Sequence, residues 1–363
     1  MIDYENLNKL NAPFETEFRN AFDNFLNVGY YILGQQTKLF EEEFASYIGA
    51  KHCIGVASGL DALELSLKVC EFPADSEIIV PSNTYIATIL SIVNSGLTPI
   101  LVEPNFATCN IDPTKIEEKI TSKTKAIMVV HLYGKSCEMT PIQTLCKKYN
   151  LKLIEDCAQS HGAKYKGQTT GTFGDFGAFS FYPTKNLGAL GDSGAITTND
   201  SVMAEKLRAY RNYGSEKKYY NKYTGYNSRL DELQSAFLRV KLLHLDEINT
   251  HKRKLANLYF ENINNSQILL PARDSDYFDV YHIFNIRIKK RDELKQYLLD
   301  NGIKTEIHYP ISPNKQEGYQ KWFADIECPI SEEIHTTTLS LPCSFAHTEN
   351  DILQVIDTIN RFV

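Results

Sequence analysis

The chain begins with short apolar runs separated by longer amphipathic stretches. Residues 53–57, 77–80, 98–102, 126–130 and 151–154 are almost continuously apolar and short, which predicts strands buried on both faces. Residues 13–25 mix aromatic and charged positions and predict a helix. A second helix opens at Ser58-Gly59, where Ala62, Leu63, Leu65, Ser66 and Val69 share a packed face. Alternation of this kind predicts an α/β fold with a mainly parallel central sheet, which binds ligands outside the carboxyl ends of its strands. A long helical pattern then runs over residues 231–262. Beyond it the rhythm changes. A Pro- and Asp-containing connector at 267–277 leads to a strand at 280–288, a helix at 292–301 stopped by Gly302, a strand at 304–309 and a last helix at 352–362. The expected organisation is a large α/β domain over residues 1–250 and a smaller C-terminal α+β domain over 251–363. No Gly-x-Gly-x-x-Gly follows the early strands, so a dinucleotide-binding fold is not favoured.

The chemistry concentrates at the predicted strand ends. Residues 174–188 alternate small and aromatic positions up to Phe181, then turn through Pro183 into a Gly-rich loop that presents Lys185. Small and apolar neighbours disfavour the ammonium form, and a lysine with a lowered pKa can form a Schiff base with a carbonyl. The apolar run 151–154 ends in Glu155-Asp156, and Asp156 is either a helix N-cap or the carboxylate partner of a cationic ring. The Ser58-Gly59 turn joins a strand to a helix N-terminus, where free N–H groups bind phosphate. Tyr85 stands at the next strand-to-helix junction, placed either to stack on a flat ring or to pack in the helix core. His161, five residues after Asp156, is either an acid/base group that orients the carboxylate or a satisfied core residue.

Taken together, Ser58 to Leu63, Glu155-Asp156-Cys157-Ala158-Gln159, the Phe179-Ser180-Phe181-x-x-x-Lys185 core and Arg211 to Gln234 resemble the DegT/DnrJ/EryC1/StrS aminotransferases over nearly the whole chain. The resemblance implies a fold-type I (aspartate aminotransferase-like) enzyme that uses pyridoxal 5'-phosphate. It implies that Lys185 carries the cofactor, Asp156 faces its ring nitrogen, Gln159 its 3-oxygen and Tyr85 its ring face. Ser58, Gly59 and Ser180 then hold the phosphate, and Asn227 of Gly225-x-Asn-x-Arg229 reaches the phosphate of a second subunit in a homodimer with shared sites. Tyr31, Lys218, Tyr219, Arg229, His308 and Tyr309 become the expected substrate contacts, although 217–223 also reads as a solvated charged and aromatic face. His308-Tyr309-Pro310 matches the family, and Ile311 to Lys315 departs from its usual continuation.

The implied reaction moves an amino group from L-glutamate to C3 of a dTDP-linked 3-keto-6-deoxyhexose, giving a dTDP-3-amino-3,6-dideoxyhexose. Alternatives are a C4 or UDP-sugar aminotransferase of the same family, a dehydrating relative (disfavoured by Lys185, where such relatives carry His) and a non-catalytic ligand-sensing relative. Composition narrows the partners. The net charge of −7 gives no basis for generic nucleic-acid binding. The eight cysteines include no Cys-x-x-Cys pair, as expected of reduced core residues in a cytoplasmic protein. The acidic N-terminus lacks the apolar segment of a signal peptide, no apolar run is long enough for a membrane span, and no metal-ligand spacing accompanies His308.

Overall fold

The computed structural model describes all 363 residues. The central sheet has seven strands: β1 (His52–Val56), β2 (Glu77–Pro81), β3 (Thr98–Val102), β4 (Thr124–Val130), β5 (Lys152–Asp156), β6 (Phe176–Ser180) and β7 (Gly194–Thr198). Their order is β1-β7-β6-β5-β4-β2-β3. β3, β2, β4, β5 and β6 run parallel, and β7 is antiparallel to both its neighbours. Parallel strands need crossover connections, and the helices Gly59–Val69, Ile86–Asn94 and Met139–Tyr149 supply them.

Strand alternation sends side chains to two cores. Ile78, Val80, Met128 and Ile154 pack with Leu63 and Leu67 of helix Gly59–Val69 and Ile89 of helix Ile86–Asn94. Ile79, Ile127, Val129 and Leu153 pack with Ile142 and Cys146 of helix Met139–Tyr149 on the other face. Helices therefore cover both faces, which is why these strands read as unbroken apolar runs rather than alternating ones.

The single helix expected over 231–262 is two helices, Glu232–Leu242 and Leu245–Asn262. The break turns Leu242 and Leu245 into one core with Phe40 and Phe44 and leaves Leu243 84% exposed. No Pro or Gly marks it, so periodicity alone runs through it. The second helix joins the two parts of the molecule: Leu245 packs in the large domain, and Leu255, Ala256 and Tyr259 pack with Phe284, Ile286, Leu298 and Ile352 in the small one. The expected border at 250 falls inside this helix.

The small domain pairs Phe284–Arg287 antiparallel with Thr338–Leu341 and adds helices Arg291–Asp300 and Glu349–Arg361. Ile2 belongs to its core and bridges to Ile303, so the chain's start packs with its end. Residues 304–309 do not form the expected strand. Only Glu306 pairs with Ser340, before the backbone turns to bring His308 and Tyr309 towards the large domain. No helix is long and apolar enough to cross a membrane.

Candidate active site

β5 ends in two adjacent carboxylates that point to opposite faces of the sheet and do different work. Asp156 is buried. Its Oδ2 accepts a hydrogen bond from Thr88 Oγ1 (2.8 Å) and its Oδ1 one from the Ala158 N–H (3.1 Å). Each carboxylate oxygen retains a lone pair for a cationic N–H. Burial raises the Asp156 pKa, opposed by Thr88, the Ala158 N–H and the Lys185 charge. Glu155, on the opposite face, accepts from the N–H groups of Gly171, Phe173 and Gly174 (2.8 Å each). It also faces His131 Nε2 at 2.9 Å. His131 Nδ1 accepts from the Cys137 N–H, which places the ring proton on Nε2 and makes it a donor to Glu155. His131, Glu155 and Cys157 could bring three ligand atoms within 4.8 Å of one another, but these hydrogen bonds already engage the imidazole and the carboxylate as structural anchors of the 171–174 loop.

Lys185 follows β6 across a turn closed by its own N–H on Tyr182 O (2.8 Å). Asn186 fixes the next residue, donating to Asn249 Oδ1 (2.8 Å) and Val280 O (3.0 Å). Burial pushes the Lys185 pKa down to about 8, against the pull of Asp156. Near that pH a large fraction of the lysine is the free amine, the nucleophilic form.

The anion cradle lies where β1 enters helix Gly59–Val69. Ser58 caps the helix, its Oγ accepting from the Asp61 N–H at 3.1 Å. A Cβ on Gly59 would lie 2.5 Å from Ser180 Cβ, and one on Gly194 2.3 Å from Ser58 O. Only glycine lets the turn, Ser180 and the start of β7 meet this closely. The helix N-terminus and Ser180 thus stand side by side at this end of the sheet, where free N–H groups can hold an anion.

Tyr85 stands at the N-terminus of helix Ile86–Asn94, outside its core, with its ring 53% exposed and 5.1 Å from that of Tyr309. Gln159 Oε1 accepts from the Tyr133 N–H (2.6 Å), while its amide donates to Tyr309 Oη (3.0 Å). Tyr133 Oη donates to His308 O (2.5 Å), and His308 Nδ1 meets Ser340 Oγ at 2.9 Å. Burial and the Lys185 charge push the His308 pKa down to about 4, so its ring is neutral. The structure thus gathers Ser58, Gly59, Asp156, Ser180 and Lys185 at the carboxyl end of the sheet and folds Tyr309 and His308 onto it from the small domain.

Other expected site residues stand elsewhere. His161 lies against Phe179 and Phe181, and neither ring nitrogen makes a hydrogen bond. Burial pushes its pKa down to about 3. It is not the residue that orients Asp156; Thr88 does that. Lys218 and Tyr219 sit at the tip of the hairpin Ser215–Lys217/Tyr220–Asn221, where Tyr219 is 86% exposed. Asn227 is exposed and its backbone bridges Asn212, whose Oδ1 accepts from Arg229 (3.2 Å). Tyr31 is exposed against Phe25, in a loop that Glu232 anchors by accepting from the N–H groups of Gly34, Gln36 and Thr37. None of these residues hydrogen-bonds Lys185 within one chain. Sequence reasoning missed Thr88, the Glu155 network and His282, whose Nε2 is 3.4 Å from Lys185 Nζ. A concavity of about 1050 Å³ at the opposite end of the sheet, around Lys152, Asp175 and Thr198, holds none of this chemistry.

A doubly covered sheet with one antiparallel strand, carrying a lysine, a carboxylate and an anion cradle at its carboxyl end, defines a fold-type I aminotransferase. The chain belongs to the DegT/DnrJ/EryC1/StrS aminotransferase family, whose model matches residues 14–360. It is 53% identical to the dTDP-3-amino-3,6-dideoxy-alpha-D-galactopyranose transaminase of Aneurinibacillus thermoaerophilus, over 100% of this chain and 99% of that one. S. venezuelae DesV, solved in complex with a ketimine intermediate, superposes with a TM-score of 0.96 at 39% identity, covering 99% of this chain and 98% of that one. NtdA of Bacillus subtilis, solved with bound cofactor PMP, superposes with a TM-score of 0.89 at 30% identity, covering 98% and 84% of the two chains.

Proposed function

We propose that the protein transfers an amino group from L-glutamate to C3 of a dTDP-linked 3-keto-6-deoxyhexose, with pyridoxal 5'-phosphate as cofactor. The observation that carries this reading is the full-length 53% identity to a transaminase of that product class, in a chain that keeps Lys185 facing Asp156. The galacto configuration of that relative's product makes the galacto substrate the first to test.

The residues fit the cofactor. The Ser58-Gly59 turn and Ser180, packed closely through Gly59 and Gly194, would hold its phosphate. Asp156, buried and held by Thr88, suits a protonated ring nitrogen, and Tyr85 offers a ring face beside Tyr309. When bound, pyridoxal phosphate supplies an aldehyde for the lysine and an electron sink for the carbanion formed at the amino donor's Cα. Lys185 holds the cofactor between turnovers. Freed by glutamate, its amine would act as the base that takes the donor's Cα proton and, as the ammonium, hold it for redelivery. Asp156 would pair with a protonated ring nitrogen, and that cation would in turn favour its ionised form against the burial that raises its pKa. Gln159 bonds both the Tyr133 N–H and Tyr309 Oη, so the residue that would contact the cofactor's 3-oxygen is held in a fixed network.

The hairpin with Lys218 and Tyr219, together with Asn227, Arg229 and Tyr31, has no partner of its own chain at the Lys185 site. We assign these residues to the site of a second subunit in a homodimer, where Asn227 meets the phosphate and the hairpin meets the nucleotide. The test mixes the pyridoxal phosphate-loaded protein with L-glutamate and the dTDP-3-keto-6-deoxyhexose and follows 2-oxoglutarate and the amino sugar by mass spectrometry. Loaded enzyme that makes neither product refutes the reading.

A further inference from the structure

His282 reaches the catalytic lysine from the small domain. Its Nε2 is 3.4 Å from Lys185 Nζ, and its Nδ1 is buried without a hydrogen-bond partner. The backbone that carries it is clamped on several sides. The Val280 N–H donates to Gly134 O (2.9 Å) and the Ile283 N–H to Tyr133 O (3.2 Å). Asn186, next to the lysine, donates to Val280 O (3.0 Å), and Lys252 Nζ donates to His282 O (3.3 Å). A Cβ at Gly134, which has φ +98°, would stand 2.7 Å from the His282 backbone nitrogen, so the close packing of this backbone also depends on a glycine there. An imidazole with one buried nitrogen left unpaired is costly to keep. Its one polar contact is the lysine.

We propose that His282 is a positioning residue for Lys185, its neutral imidazole holding Nζ in place whenever the lysine is not bonded to the cofactor. Burial first, then the nearby Lys185 and Lys252 charges, hold this ring neutral, while His308 and His161 beside it are themselves uncharged. An ammonium at Nζ donates to His282 Nε2. When the amine gives up its proton, the hydrogen bond keeps Nζ from swinging away before the next transfer. The ring binds and releases no proton itself, so Lys185 remains the acid and base. The proposal rests on the transaminase reading for its role in turnover, and on the Nζ contact alone for its physical basis.

The test uses the full-length protein and three variants, H282Q, H282N and H282F. Gln places a polar atom where Nε2 stands, Asn is too short to reach Nζ, and Phe keeps the ring shape without a polar atom. In cofactor-free protein, labelling of Lys185 by trinitrobenzenesulfonate is followed against pH by peptide mass spectrometry. Wild type is expected to titrate near the value of about 8 that burial sets. Loss of an acceptor to an ammonium lowers the midpoint by roughly one unit in H282F and H282N, and H282Q restores it. In the loaded enzyme, kcat of the glutamate half-reaction falls about 10-fold or more in H282F and H282N with KM nearly unchanged, and H282Q recovers most of it. Midpoints within about 0.2 unit of wild type in H282F and H282N, H282N alone serving should H282F not fold, overturn the proposal. A wild type that titrates as expected but makes no 2-oxoglutarate refutes the transaminase reading instead, and the labelling midpoints still decide the His282 contact.

Discussion

Glu155 offers a sharp test of how the site is held. It is fully buried, and its Oε1 accepts from the Phe173 and Gly174 N–H groups while its Oε2 accepts from the Gly171 N–H and from His131. Glu155→Ala leaves three backbone donors and one imidazole donor without partners or water. Each orphaned donor costs about 1–3 kcal/mol, part of which relaxation recovers, so a loss of about 3–5 kcal/mol is expected. Glu155→Gln is isosteric but replaces one oxygen with an NH2 group. That group faces two donors in either amide orientation, and the expected loss is still about 2 kcal/mol or more. Urea unfolding followed by far-UV circular dichroism measures both. Thermal unfolding should fall by several degrees in each variant, at roughly 2–4 °C per kcal/mol for domains of 150–250 residues. Because Asp156 is the next residue, pyridoxal phosphate affinity should weaken along with stability. Glu155→Gln within about 0.5 kcal/mol of wild type would refute the view that this carboxylate is the organising acceptor of the loop.

Further tests bear on the chemistry and the fold. Lys185→Ala should lose turnover by several orders of magnitude while folding normally, as circular dichroism and the product assay would report together. Gly59→Ala drives a Cβ to 2.5 Å from Ser180 Cβ, so it should cost about 1–3 kcal/mol and weaken cofactor binding at least tenfold by equilibrium dialysis. Lys241 is buried in the helix Glu232–Leu242 with only Asn11 Oδ1 at 3.3 Å, and burial lowers its pKa from 10.5 to about 8. A lowered folded-state pKa penalises folding below pH 8, and the penalty disappears as pH rises from 8 towards 10.5. Lys241→Met should therefore be more stable than wild type by about 3 kcal/mol at pH 7 and gain progressively less above pH 8 in urea titrations.

What the sequence determined by itself was local. A buried parallel strand must be short and apolar, and a strand-turn-helix unit places its catalytic residue within a few positions of the strand end. The mainly parallel sheet was therefore legible, and with it the placing of Asp156, Lys185 and the Ser58-Gly59 turn near strand ends. Tertiary structure decided the pairings that bridge distant segments. Thr88 holds Asp156 across 68 positions, His282 meets Lys185 across 97, and Gln159 meets Tyr309 across 150. No periodicity records such contacts, because each depends on how the crossover helices and the small domain pack. His161 shows the converse. Its place five residues after Asp156 suggested an acid/base role, yet the chain's turn there buries it among Phe179 and Phe181. The break at Leu243 has the same origin: apolar spacing continues through it, and only the need to seat Leu242 and Leu245 in one core bends the helix.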